Sequence, residues 1–168
     1  MRILTALLFL AILTGCGDLL SLHPIYTPQD KVFDAAYEGR WESDDDILTV
    51  KRSGEKYEFT LENKKPKGSP REYEAHLLDI RGVRFVDLIP ATALGHMFAK
   101  VRLTGGELRI SFFDTKWLRD RIPHEDAEVA GNESMPVVIL KTGPLRKLVA
   151  RYALEPKAYD KDLVYRRK

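Results

Sequence analysis

The sequence predicts a mainly β protein: an antiparallel meander of strands with two short helices in its C-terminal half. Three observations carry this. Several short stretches alternate apolar and polar residues with a period of two, as strands with one buried face do. Short glycine-containing turns separate them, compact enough for hairpins. Late in the chain, apolar residues switch to helical spacing at two places.

Taken in order, Ile47 to Lys51 is the first alternating stretch. Ser53-Gly54-Glu55 turns the chain into the clearest case, where Tyr57, Phe59 and Leu61 share one face and Lys56, Glu58, Thr60 and Glu62 the other. Tyr73, Ala75 and Leu77 then alternate with Glu72, Glu74 and His76, which assigns His76 to a polar face. Arg81-Gly82 leads into Val83 to Ile89, where Phe85-Val86 breaks the alternation and marks either a bulge or a strand buried on both faces. Met97 to Leu103 pairs across Thr104-Gly105-Gly106 with a stretch in which Leu108, Ile110 and Phe112 alternate with Glu107, Arg109 and Ser111. Asp114 is suited to cap a helix carrying Trp117, Leu118 and Ile122, which Pro123 stops. His124 to Met135 is polar and reads as a loop, and Val137 to Lys141 as a further strand. Thr142 and Pro144 open the second helix, whose Leu145, Leu148, Val149 and Tyr152 form a stripe expected to pack on the sheet. Leu163 to Arg166 is the last strand.

Ahead of these elements stand one positive charge, Arg2, and the uncharged apolar run Ile3 to Leu13, the two parts of a secretory signal. The run is about half of the ~20 residues that a membrane-spanning helix needs, so removal is expected rather than a permanent span. Leu13-Thr14-Gly15-Cys16 follows and resembles the lipobox of bacterial lipoproteins. A thiol is the nucleophilic side chain that can take a diacylglyceryl group as a thioether, and small residues before it let an extended backbone enter a narrow protease site. The resemblance implies cleavage between Gly15 and Cys16, lipid on the Cys16 sulfur and acylation of its freed amino group. Two or three such chains hold a protein to a membrane firmly, where one does so only marginally. Gly17 rather than aspartate after Cys16 implies, by the usual sorting in enteric bacteria, the outer membrane with the domain facing the periplasm.

The expected plan is therefore a signal over residues 1–15, a membrane-proximal tether over 16–30, and a single β-rich domain over 31–168 that is a monomer. Pro24 and Pro28 disfavour helix in the tether. Cys16 is the only cysteine, so no disulfide forms within the chain. Lys and Arg total 27 against 25 Asp and Glu, which gives no field suited to nucleic acid. Lys64, Lys65 and Lys67, and Arg166, Arg167 and Lys168, form two mild basic clusters, read as solvated or as contacts for anionic head groups.

Gly39-Arg40-Trp41 stands at the start of the strand-rich region. About eight strands behind such a Gly-x-Trp resemble a lipocalin-type (calycin-like) barrel or half-barrel. That resemblance implies an indole closing one barrel end, with a basic residue of the last strand, Arg166 or Arg167, packed over it; cation–π attraction supplies the reason. Gly39, Trp41 and Arg166 are the structural residues so assigned. Ser21-Leu22-His23-Pro24-Ile25-Tyr26, Val32-Phe33-Asp34 and Arg84-Phe85-Val86-Asp87-Leu88 add a resemblance to uncharacterised bacterial lipoproteins, which implies no activity.

No catalytic, cofactor or metal residue is assigned. His23, His76, His96 and His124 lack the spacing of a helical zinc site. Glu42 and Asp44-Asp45-Asp46 lack the glycine and closing glutamate of a calcium loop and read as a solvated hairpin tip. Ser134 in Gly131-Asn132-Glu133-Ser134 has no identifiable base, and nucleophile-elbow, phosphate-loop and dinucleotide motifs are absent from the sequence. The expectation is a non-enzymatic envelope lipoprotein, held to membrane lipid through acylated Cys16, whose domain holds a small apolar ligand or an envelope protein. Its rival is a periplasmic hydrolase with a site assembled from distant residues. An apolar barrel interior favours the first, and paired buried carboxylates or a Ser–His contact the second.

Overall fold

The structure, a computed structural model, describes residues 19–66, 68–122, 129–130 and 137–168. The signal, Cys16, Lys67, His124 and Gly131-Asn132-Glu133-Ser134 lie outside the described residues.

Two short strands come first, β1 (Leu20–Ser21) and β2 (Lys31–Val32). They are followed by β3 (Gly39–Glu42), β4 (Asp46–Ser53), β5 (Lys56–Asn63), β6 (Arg71–Ile80), β7 (Val83–Pro90), β8 (Met97–Thr104) and β9 (Glu107–Phe112). Helix α1 (Thr115–Arg119), β10 (Val129–Ala130), β11 (Val137–Val138), α2 (Thr142–Tyr152) and β12 (Leu163–Arg167) complete the chain. From β3 to β9 each strand pairs antiparallel with the next, and β12 pairs with both β9 and β3. The result is a closed, eight-stranded antiparallel barrel of lipocalin-like build. Closure leaves its strands paired on both sides, which removes the exposed edges of an open sheet.

Strand alternation sends one set of side chains inward. Leu48, Val50, Phe59, Ala75, Leu77, Val86, Leu88, Ala99, Val101, Leu108 and Ile110 form a single apolar cluster with Trp41 and Tyr165. A second core lies on the outer face of β6, β7 and β8. There Leu78, Ile80, Phe85 and Phe98 cluster with Leu145, Leu148 and Val149 of α2, Leu118 of α1, and Leu19 and Ile25 from the N-terminal segment. Asp114 caps α1 by accepting from the Trp117 amide, and the Trp117 ring meets Tyr152 of α2 edge-on.

Three expectations need correction or completion. Val83 to Ile89 carries no bulge, since its register with β6 runs unbroken from Val83 to Pro90; both of its faces are buried. Val137 to Lys141 forms a shorter strand than expected and lies outside the barrel: only Val137–Val138 is paired, in a small sheet with β1 and β10. Gly39–Glu42, where the Gly-x-Trp resemblance set the first strand, is the strand that receives β12. Residues 19–30 are not a free tether. Ile25 is fully buried, its amide donates to Asp87 Oδ2 at 2.8 Å, and its carbonyl accepts from Arg146 of α2 at 2.6 Å. The prolines beside it keep the segment out of helix, but extended backbone pairs with β-structure just as readily as it spans a gap.

Ile25 thus joins barrel and helix, and Ile25→Ala is expected to lower stability by about 2–5 kcal/mol, the range for a large-to-small change in a packed core. Urea denaturation of a soluble chain beginning at Leu19 measures this; a midpoint equal to the parent's would return the segment to the role of a loose tether.

Candidate functional site

The two ends of the barrel differ. The end carrying the β4–β5, β6–β7 and β8–β9 turns is plugged by Trp41, whose side chain is 0% exposed. Its indole Nε1 donates to the Tyr37 carbonyl at 2.9 Å. Over the ring lies a guanidinium, 4.2 Å from the centroid, and it belongs to Arg167. Arg167 also donates to the carbonyls of Glu38, at 2.9 Å, and Ala36. Gly39 makes room for this: its φ is +128°, and a Cβ there would stand 2.9 Å from the Arg167 guanidinium. The backbone therefore demands glycine, and the missing Cβ leaves the guanidinium its present place. Arg166 points the other way and pairs with Glu107 at 3.2 Å. Parity explains the choice, because Arg167 shares the inward face of β12 with Tyr165, and Arg166 cannot.

The opposite end, between the β3–β4, β5–β6 and β7–β8 turns, is open. A pocket of about 220 Å³ enters it, lined by Leu61, Tyr73, Met97, Phe112, Leu163 and Tyr165, with Leu19 and Phe113 at its outer rim. Charge is confined to the mouth, where Asp46 and Arg71 stand on one side and Asp160 and Lys161 on another. Asp46 Oδ1 is buried there without a hydrogen-bond partner. Burial, helped by the nearby Asp46 charge, pushes the Tyr165 hydroxyl up to about 12, so it remains protonated at neutral pH. A polar spot at the rim of an apolar pocket suits a ligand that is apolar over most of its length and polar at one end. A larger groove of about 570 Å³ lies on the outside near the plugged end. Its cations are largely taken: Arg84 pairs with Asp79, and Arg102 and Arg109 with Asp162.

Sequence reasoning missed a buried polar cluster on the outer face of β6 and β7. His76 and Asp87 are direct cross-strand neighbours there, both buried. Asp87 Oδ1 accepts from His96 Nδ1 at 2.7 Å, while Oδ2 takes the Ile25 amide. The Tyr26 ring covers the group, its centroid 4.2 Å from that of His76 and 6.3 Å from that of His96. His76 Nε2 faces Glu74 Oε1 at 2.9 Å, and Glu74 Oε2 accepts from Lys56 at 2.6 Å. With its Nε2 hydrogen given to a carboxylate, His76 is left with a bare, buried Nδ1 that has no partner. Alternation placed His76 on the polar face correctly, but that face is roofed by Tyr26 rather than wet. The only signal available was the apolar Ile25-Tyr26 pair in a stretch otherwise rich in turn residues.

Among the described residues, no three metal-ligating side chains gather into an ion site. Ser21 Oγ donates to the His23 carbonyl and Ser111 Oγ to Asp162, so neither hydroxyl is spent on a histidine. Asp44 and Asp45 are exposed at the β3–β4 turn, and Lys64 from the β5–β6 turn pairs with Glu42 at 3.4 Å. Set against known proteins, the chain matches no family model, no curated protein and no solved structure.

Burial lowers the His76 pKa, with the Glu74 contact opposing it in part. The unfolded chain therefore binds a proton that the folded one refuses, between the ordinary histidine value of ~6.5 and the lower folded value. Stability should fall as the pH drops through that window and level off below it. Denaturation midpoints measured from pH 7.5 down to pH 5 test this, and His76→Phe should flatten the slope. An unchanged slope in the variant would remove His76 as its source.

Proposed function

We propose that the protein is a lipid-anchored envelope lipoprotein whose barrel holds a small, mainly apolar ligand and catalyses no reaction. The observation that carries the binding role is a barrel interior lined with apolar side chains, plugged at one end by Trp41 and Arg167 and open at the other. The anchor rests on Leu13-Thr14-Gly15-Cys16 and the apolar run before it. Outer-membrane placement, facing the periplasm, rests on Gly17.

Size narrows the ligand. Pockets for drug-sized molecules run from roughly 300 to 1,000 Å³, and 220 Å³ falls below that range. A sterol or a whole phospholipid does not fit. The end of one acyl chain does, with its polar head left at the mouth beside Asp46 and Arg71.

The hydrolase reading draws on one observation, the carboxylate that orients His96 through Nδ1, an arrangement also used to set up a general base. Here, however, the second oxygen of Asp87 fixes Ile25, which gives the pair a structural task. Binding of a fluorescent fatty acid separates the readings. Leu61→Trp fills the mouth and should weaken binding at least tenfold, or about 1.4 kcal/mol, while His96→Gln leaves it unchanged. Equal affinity in Leu61→Trp would overturn the pocket assignment, and ester hydrolysis that disappears in His96→Gln would favour the enzyme. The anchor is tested separately, by mass spectrometry of the mature N-terminus: diacylglyceryl on Cys16 is the expected result, and a free thiol in membrane-extracted protein would overturn it.

A further inference from the structure

We propose that the open end of the barrel lies against the bilayer, with the β7–β8 loop inserted at the lipid surface, so that the pocket opens onto the membrane rather than onto water. This rests on the reading of Cys16 as the lipid attachment site and adds an orientation to it.

The first argument is reach. Leu19 is buried in the outer core and stands at the rim of the pocket. Cys16 precedes it by three residues, and three residues of fully extended chain span at most roughly 11 Å. An acylated Cys16 therefore lies within that distance of the mouth, and nothing long enough to hold the domain away from the bilayer separates the two.

The second argument is the loop itself. Ala91-Thr92-Ala93-Leu94-Gly95-His96 joins β7 to β8 at the open end; its first five residues are uncharged, and His96 turns back onto Asp87. Leu94 in it is 94% exposed, the most exposed of the large apolar side chains among the described residues. The loop is fixed to the segment that leads back to Cys16. Ser21 and His96 exchange backbone hydrogen bonds at 2.8 and 2.7 Å, and a Cβ on Gly95 would stand 3.1 Å from the Ser21 carbonyl oxygen. The lipid attachment point and the bare leucine are thereby held on one side of the molecule. Leu163, 45% exposed at the start of β12, extends the apolar surface across the mouth, and Leu22, directly after β1, is 50% exposed. Lys65 and Lys161 at the same end suit anionic head groups, but Asp44 and Asp45 are there too. The contact is therefore apolar and centred on Leu94, with little electrostatic steering.

The test uses the mature, acylated protein in vesicles of phosphatidylethanolamine and phosphatidylglycerol. Leu94→Cys and Glu55→Cys place a single labelling site at opposite ends of the barrel, each carrying an environment-sensitive fluorophore. The label at position 94 should be blue-shifted and quenched by a lipid-borne nitroxide several-fold more than the label at 55. Equal quenching at the two positions would overturn the orientation. A label at 94 that is shielded from aqueous iodide yet out of reach of the nitroxide would mean that a second copy covers the loop, which also overturns it. The parent, with no added cysteine, reports on the underlying reading alone: if it takes up label, Cys16 is a free thiol and the anchor itself has failed.

Discussion

A carboxylate removed from water is costly unless both oxygens are satisfied, and Asp87 on the outer face of β7 meets that demand with two specific partners. Its hydrogen bonds with the Ile25 amide and the His96 ring tie the N-terminal segment and the β7–β8 loop to one strand. Arg146 completes the arrangement from α2 by donating to the Ile25 carbonyl and pairing with Asp30 at 2.5 Å. The second core can exist because these polar groups hold its roof in place. Without them, Leu78, Phe85 and Phe98 would form an apolar patch on the outside of the barrel.

The hairpins were legible because alternation within each strand is a local property, and Tyr57, Phe59 and Leu61 display it without reference to anything distant. Strands covered on both faces lose the pattern, which is why β7 left a choice between bulge and burial. His76 shows the same limit from the other side: its parity was readable, its surroundings were not. Those depend on Tyr26, fifty residues away in sequence. Arg167 against Arg166 was decidable in principle, since an inward Tyr165 fixes the parity of β12. The small β1–β11 sheet was not, because two-residue strands carry no period. The pocket was invisible for a related reason: Leu61, Met97, Phe112 and Leu163 come from four strands, and only closure makes them neighbours.

The asymmetry of the barrel follows from where its small and large residues fall. At the plugged end a glycine with positive φ lets a guanidinium descend onto an indole, and two backbone carbonyls accept from that guanidinium. The exposed side of the cation is left to water and its inner side to the indole and the two carbonyls, so the plug brings no carboxylate into the interior. At the other end the rim carries both signs of charge and one unpartnered carboxylate oxygen. The interior is thus an apolar space plugged at one end and open at the other, and in the proposed orientation the opening faces lipid.

Closure between β3 and β12 also has a kinetic meaning. The Arg167 guanidinium bonds the carbonyl of Glu38, a contact across 129 residues of sequence. Contacts of that separation form late, because the entropy of closing so long a loop must be met before the pairing returns anything. Until β12 arrives, the sheet has two open edges, and the Trp41 indole lacks its lid. The meander of local hairpins can assemble early, but the barrel becomes a barrel only when the last strand is delivered. Any condition that delays delivery of the last strand therefore prolongs the open-edged state, in which β3 and β9 are exposed to pairing with other chains.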